Sequence, residues 1–215
     1  MARDVAVAGV SLAAAYLLGG IPFALLVGKL LYHTDVRDHG SGNLGATNTL
    51  RVLGVGPGVF VLLLDAGKGA AAVLLARALL EASGAAAVFS PSWFLLLVTF
   101  AVMAGHVWSP YLRFAGGKGV AAAAGALLVV MPLVTLILVA VFAIVVALSG
   151  WVSLGSVVIA VLFPVVSFLV YSRDPASVAL TVVAGALVVW RHRTNISRII
   201  AGTEARIGMH GRKLR

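Results

Sequence analysis

Leu133-Val134-Thr135-Leu136-Ile137-Leu138-Val139-Ala140-Val141-Phe142-Ala143-Ile144-Val145-Val146-Ala147-Leu148 runs on without a single charge. A barrel strand would alternate apolar and polar residues over about ten positions, whereas this run is apolar at every position but Thr135. It reads as a helix crossing a bilayer, which takes about 20 apolar residues. Val152 to Val170 repeats the pattern after a short Ser149-Gly150-Trp151 break. Across all 215 residues, 61% are hydrophobic and 11% charged, with a mean hydropathy of +1.10. A soluble domain carries about 25% charged residues, so this chain cannot cover a globule with polar surface. Soluble enzymes, nucleic-acid modules and disordered chains are excluded together. The expected fold is all-α, a polytopic integral membrane protein built as a single domain over residues 1–215.

Seven spans are expected, with six as the fallback. They run from about Val5 to Leu31, Val55 to Leu80, Pro91 to Val107, Val120 to Val130, Leu133 to Leu148, Val152 to Val170 and Val178 to Trp190. Gly19-Gly20-Ile21-Pro22 predicts a kink in the first. Met131-Pro132 either separates spans four and five or kinks one long helix, and spans four and seven are short enough for tilt or a re-entrant path. The first apolar stretch has no small-residue cleavage site and is read as a retained helix. With seven spans, one side holds Arg3, Arg77 and Arg173 against Asp4, Glu81 and Asp174. The other holds the remaining 13 basic and 4 acidic residues, and so all of the net +9. Basic residues favour the cytoplasm, which puts the N-terminus outside and the C-terminus inside. Segments 32–54, 109–119, 149–153 and 191–215 would then face the cytoplasm.

Those segments carry chemistry. In the first, Gly40, Gly42 and Gly45 let backbone N–H groups approach an anion, Ser41, Asn43, Thr47 and Asn48 add neutral hydrogen-bonding groups, and Arg51 suits a bidentate phosphate contact. A flexible glycine-rich connector explains the same glycines. In the second, Gly116-Gly117-Lys118-Gly119 at the mouth of an apolar helix has the logic of a phosphate cradle. It lacks the spacing and hydroxyl of a Walker A loop, so nucleotide hydrolysis is not indicated. Asp65 and Lys68 are ionisable residues inside a span, a functional signal or a self-neutralising i,i+3 pair. His192 and Asn195 share a face if the last span continues as a helix. Gly211-Arg212-Lys213-Leu214-Arg215 reads as a solvated basic tail. His33 and Asp38 show an acyltransferase-like His-x₄-Asp spacing but lack its companion motif. His39 and His106 stand apart from any carboxylate cluster, so no metal is expected, and the absence of cysteine removes thiol chemistry.

Taken in order, these motifs resemble the acyl-phosphate-dependent glycerol-3-phosphate acyltransferases, the PlsY family, along nearly the whole chain. The resemblance rests on Gly20-Ile21-Pro22-Phe23, Gly40-Ser41-Gly42-Asn43-Leu44-Gly45-Ala46-Thr47-Asn48 with Arg51, Asp65-Ala66-Gly67-Lys68-Gly69, Gly105-His106-Val107-Trp108-Ser109-Pro110, Gly116 to Val120, Val152 to Ser156, and Arg191-His192 with Asn195-Ile196 and Glu204. One departure is Ala115, where a lysine is expected, with Arg113 as partial compensation. The resemblance implies seven spans and acyl transfer from acyl phosphate to the 1-hydroxyl of sn-glycerol 3-phosphate. The products would be lysophosphatidate and phosphate, formed in the bacterial plasma membrane by a monomer without cofactor, among membrane lipids and facing the cytoplasm. It implies substrate binding by Ser41, Gly42, Asn43, Thr47, Asn48, Arg51, Lys68, His106, Gly116, Gly117, Lys118 and Glu204. Ser153, His192 and Asn195 would line the reacting centre. His192 would take or orient the hydroxyl proton, or the acyl phosphate itself would remove it. An anion transporter with Lys68 and Lys118 as counter-charges is the alternative class, opposed by the clustering of polar motifs on one side and by the lack of internal repeats.

Overall fold

A computed structural model describes residues 1–85, 92–171 and 173–207, and every regular element among them is helical. The start of the third expected span at Pro91 and the basic tail at 211–215 lie outside the described residues. Two compact units divide the chain, Met1–Pro132 and Leu133–Arg215. Five stretches are long and apolar enough to cross a bilayer: Ala2–Tyr32, Val55–Ser83, Trp93–Leu112, Pro132–Ser149 and Val152–Val170. A sixth is the pair Pro175–Arg191 and Arg193–Ile200, bent by 55°. The chain is therefore a multi-pass membrane protein.

In the first unit, α1 (Ala2–Gly20) and α2 (Phe23–Tyr32) are the two parts of the first span. The break falls at Ile21-Pro22, because a residue before proline is pushed out of the helical region and proline has no N–H to give. The segment expected as a loop from 32 to 54 contains a helix, α3 (Ala46–Leu53), packed on α4 (Val55–Ser83). Two turns are too short to show an apolar period, so tertiary packing supplies what propensity does not. Next come α5 (Ser92–Val107), a 3₁₀ turn at Pro110–Leu112 and α6 (Val120–Val130). Helix α6 has 11 residues. At about 1.5 Å per residue it covers about half of a hydrocarbon core about 30 Å thick.

Helices cross closely where side chains are small. A Cβ on Gly125 of α6 would collide with the Ala66 carbonyl of α4, and one on Gly69 of α4 with the Ala122 carbonyl of α6. Met131 leaves helical geometry at φ −141°, and Pro132 opens α7 (Pro132–Ser149), so the Met131-Pro132 boundary is a true break.

The second unit holds α7 from Leu133 onward, α8 (Val152–Val170), α9 (Pro175–Arg191) and α10 (Arg193–Ile200). Asp174 caps α9 by accepting from the Ser177 N–H at 2.8 Å. Helices α8 and α9 pack where Gly185 faces the Ala160 carbonyl. The last span does not continue straight through His192. The chain bends there, and α10 packs on α8.

Candidate active site

In the first unit the glycine-rich loop folds around one side chain. Asn48, 1% exposed, donates through Nδ2 to the carbonyls of Val36 (2.7 Å) and His39 (3.2 Å). Its Oδ1 accepts from the Ser41 N–H (2.8 Å) and the Ser41 hydroxyl (3.1 Å). Gly40 and Gly42 take φ of 63° and 67°, a region costly for other residues, and a Cβ on Gly40 would strike Asn48 Oδ1. The loop is thus a built structure and not a slack connector. Ser41 stays exposed at its rim, while Asn43, Thr47 and Arg51 are half-buried. Beside it, Arg37 and Lys29 close on Asp35 at 2.6 and 3.1 Å, and the Arg37 hydrogen bonds hold the Asp35 carboxyl well below the usual range. His33 and Asp38 are both exposed, and no hydrogen bond or ion pair joins them.

The second loop seats against the first. Gly117 donates its N–H to the His106 carbonyl at 3.1 Å. A Cβ on Gly117 would strike both the His106 ring and the Leu44 carbonyl, so only glycine fits where the two loops meet. Gly116 is held equally close to the His106 carbonyl. Lys118, half-buried, follows, and α6 starts two residues later. Gly116 and Gly117 line a small cleft together with Pro22, Phe23, Lys68 and His106. At its floor Lys68 Nζ lies 2.7 Å from Asp65 Oδ1, and His106 Nδ1 lies 3.6 Å from the same oxygen.

The second unit gathers Ser153 and Asn195 around one carboxylate. Glu204 Oε1 accepts from Ser153 Oγ (2.9 Å) and Asn195 Nδ2 (2.7 Å), and Oε2 accepts from Arg198 Nε (2.7 Å). Burial pushes the Glu204 carboxyl up, but the hydrogen bonds from Arg198, Asn195 and Ser153 outweigh it, so the net shift is downward. Trp151 Nε1 donates to the Glu204 carbonyl at 3.1 Å. His192, 2% exposed, stands at the bend between α9 and α10 with Nδ1 at 2.7 Å from the Val188 carbonyl. A carbonyl only accepts, so Nδ1 carries a proton and the neutral ring has its basic lone pair on Nε2. Ser109, Trp151 and Arg198 have roles the sequence did not announce, and Asn48, expected as a substrate-binding residue, holds the loop from inside. Arg198 alone had a signal, since it lies one helical turn after Asn195.

A family model described as glycerol-3-phosphate acyltransferase matches residues 9–202. The chain belongs to this family. It is 45% identical over 201 residues to a glycerol-3-phosphate acyltransferase of Synechococcus sp. (strain CC9902), covering 94% of this chain and 96% of that one. It is likewise 45% identical over 200 residues to glycerol-3-phosphate acyltransferase 2 of Moorella thermoacetica, covering 92% and 96%. Among solved structures it resembles the integral membrane acyltransferase PlsY in its glycerol 3-phosphate form, with a TM-score of 0.83 and 36% identity over 94% of this chain and 96% of that one. The lysophosphatidic acid form of the same enzyme gives a TM-score of 0.80 and 35% identity, covering 94% and 95%. As a glycerol-3-phosphate acyltransferase family member, the chain is an integral membrane enzyme, which leaves the transporter reading without support.

Proposed function

We propose that this chain transfers a fatty acyl group from acyl phosphate to the 1-hydroxyl of sn-glycerol 3-phosphate. The products are 1-acyl-sn-glycerol 3-phosphate and inorganic phosphate, and the reaction opens bacterial phospholipid synthesis. The observation that carries this reading is the family match over 9–202, which encloses every proposed site residue except Glu204. The whole chain works as one acyltransferase domain, monomeric and without a cofactor, in the bacterial plasma membrane. It crosses the membrane seven times, with α6 as the short crossing. The N-terminus lies outside, and the C-terminus and site face the cytoplasm.

Acyl phosphate is a mixed anhydride, so its carbonyl is activated and its leaving group is good. No covalent acyl-enzyme is needed. The hydroxyl oxygen attacks the acyl carbon, a new ester C–O bond forms, and the bond to the phosphate oxygen breaks. Ser41, Arg51 and Lys118, with the N–H groups of Gly42, Gly116 and Gly117 and the side chains of Asn43 and Thr47, hold the glycerol phosphate. Positioning of this kind lowers a barrier by about 7–11 kcal/mol. His192 Nε2 receives the hydroxyl proton, and Ser153 and Asn195 line the reacting carbonyl. Asn48, Lys68 and Glu204 support these residues, because their polar atoms already meet protein partners, and the His106 carbonyl holds Gly117 in place.

The test is phosphate release by the purified, detergent-solubilised protein given palmitoyl phosphate, with and without sn-glycerol 3-phosphate. Acceptor-dependent release with lysophosphatidate formed, and palmitoyl-CoA inert, supports the reading. Acceptor-independent release, or none from folded protein, overturns it.

A further inference from the structure

Asp65 is a carboxylate buried within the second span, and acyl transfer as described gives it no task. Charge inside a span is costly and is kept for a reason. A pair that merely cancelled itself would need no third partner. Here the Lys68 ammonium, 2.7 Å from Asp65, also donates to the Ile21 carbonyl at 2.7 Å and lies 5.5 Å from the Phe23 ring centroid. Ile21 is the residue at which the first span breaks. Hydrocarbon cannot solvate the carbonyls that such a break releases, so side chains must take them. Ser109 Oγ takes the Gly20 carbonyl at 2.6 Å. The Ile21 carbonyl otherwise has only the tight contact from the Phe23 N–H at 3.1 Å.

We propose that Asp65 is a positioning residue which holds Lys68 on the Ile21 carbonyl and so fixes the broken first span as a wall of the cleft lined by Gly116 and Gly117. The same carboxylate faces His106 Nδ1, and the His106 carbonyl receives the Gly117 N–H. A change at Asp65 therefore reaches the glycine cradle through a single residue as well as through the break. The assignment rests on the acyl-transfer reading, in which that cradle holds the acceptor's phosphate.

The experiment compares the wild type with Asp65→Asn and with the charge-free double variant Asp65→Asn/Lys68→Met. It reads KM for sn-glycerol 3-phosphate, kcat, thermal stability in detergent, and hydrogen–deuterium exchange over residues 19–26. The double variant buries no charge, so it is expected to fold, with a melting temperature lowered by the lost hydrogen bond to the Ile21 carbonyl. Its KM is expected to rise at least tenfold while kcat changes less than threefold, with faster exchange over 19–26. Wild-type KM and exchange in the double variant would show that the pair only neutralised itself, and would overturn the proposal. If the double variant fails to fold, Lys68→Met alone serves, and unchanged exchange there is equally decisive. A wild type without acceptor-dependent release sinks the acyl-transfer reading instead, while the exchange measurement still decides the strut.

Discussion

The hydrogen bond at His192 Nδ1 supports the proposed role of its ring as the base. The Val188 carbonyl fixes the protonated nitrogen, and the remaining lone pair is the only basic site the neutral ring has to offer. His192→Ala is expected to lower kcat by about 10²–10⁴-fold in the phosphate-release assay, the usual contribution of a positioned base. A loss within tenfold would hand the proton to the acyl phosphate. Glu204 makes a prediction in pH. Its folded pKa lies below the ordinary value of 4.5, so its contribution to stability is present above that value and is lost as pH falls through the folded pKa. Glu204→Gln is expected to cost about 1–3 kcal/mol at neutral pH, by leaving charge-assisted donors mispaired, with the gap to wild type closing as pH drops below 4.5. Thermal melts of both proteins across pH 3–7 check this on the order of a few degrees. Residues of this kind were legible as types, because hydroxyls, amides and cations at glycine-rich bends announce anion chemistry. Which of them turn inward was not legible. The partners of Asn48 include two backbone carbonyls, and a carbonyl has no letter of its own in a sequence.

Helix breaks and helix crossings are the features that place these residues. Proline acts locally on its own backbone and on the residue before it, so the sequence marks both Ile21-Pro22 and Met131-Pro132, although at the second it leaves open a kink in one helix or a break between two. Helix α3 could not be read in advance, since its short run gains its stability from α4, where Gly58 lets Leu50 approach closely. Arg77, counted in the sequence only toward the charge of one membrane side, closes a helix end: its guanidinium donates to the Val129 carbonyl of α6 at 3.2 Å. The crossing of α4 and α6 gives a test at this scale. Gly125→Val places atoms where the Ala66 backbone already lies, and backbone cannot rotate aside as a side chain can. Overpacking of this kind costs about 1–3 kcal/mol or more. The variant is expected to melt several degrees lower in detergent than wild type. An unchanged melting temperature would mean that α4 and α6 do not cross as closely as described.

The termini of the whole chain give its span count a parity that one experiment can read. Six stretches are long or paired enough to cross, and α6 is the only remaining apolar helix among the described residues. If α6 crosses, the count is odd and the termini lie on opposite sides; if it turns back, they lie on the same side. Charge favours the first case, because seven crossings gather the entire net +9 on one face. Length favours the second, since 11 residues reach about half the hydrocarbon thickness. Thinning of the bilayer costs only fractions of a kcal/mol per Å of mismatch, whereas several cations on the wrong side oppose the whole topology. The charge argument therefore carries the prediction of seven crossings, and the absence of cysteine makes it simple to test. Arg3→Cys and Thr203→Cys, both at exposed positions, are treated with a membrane-impermeant maleimide in spheroplasts and in inverted vesicles. Arg3→Cys is expected to label in spheroplasts only and Thr203→Cys in inverted vesicles only. Labelling of both from one side would make α6 re-entrant and the count six.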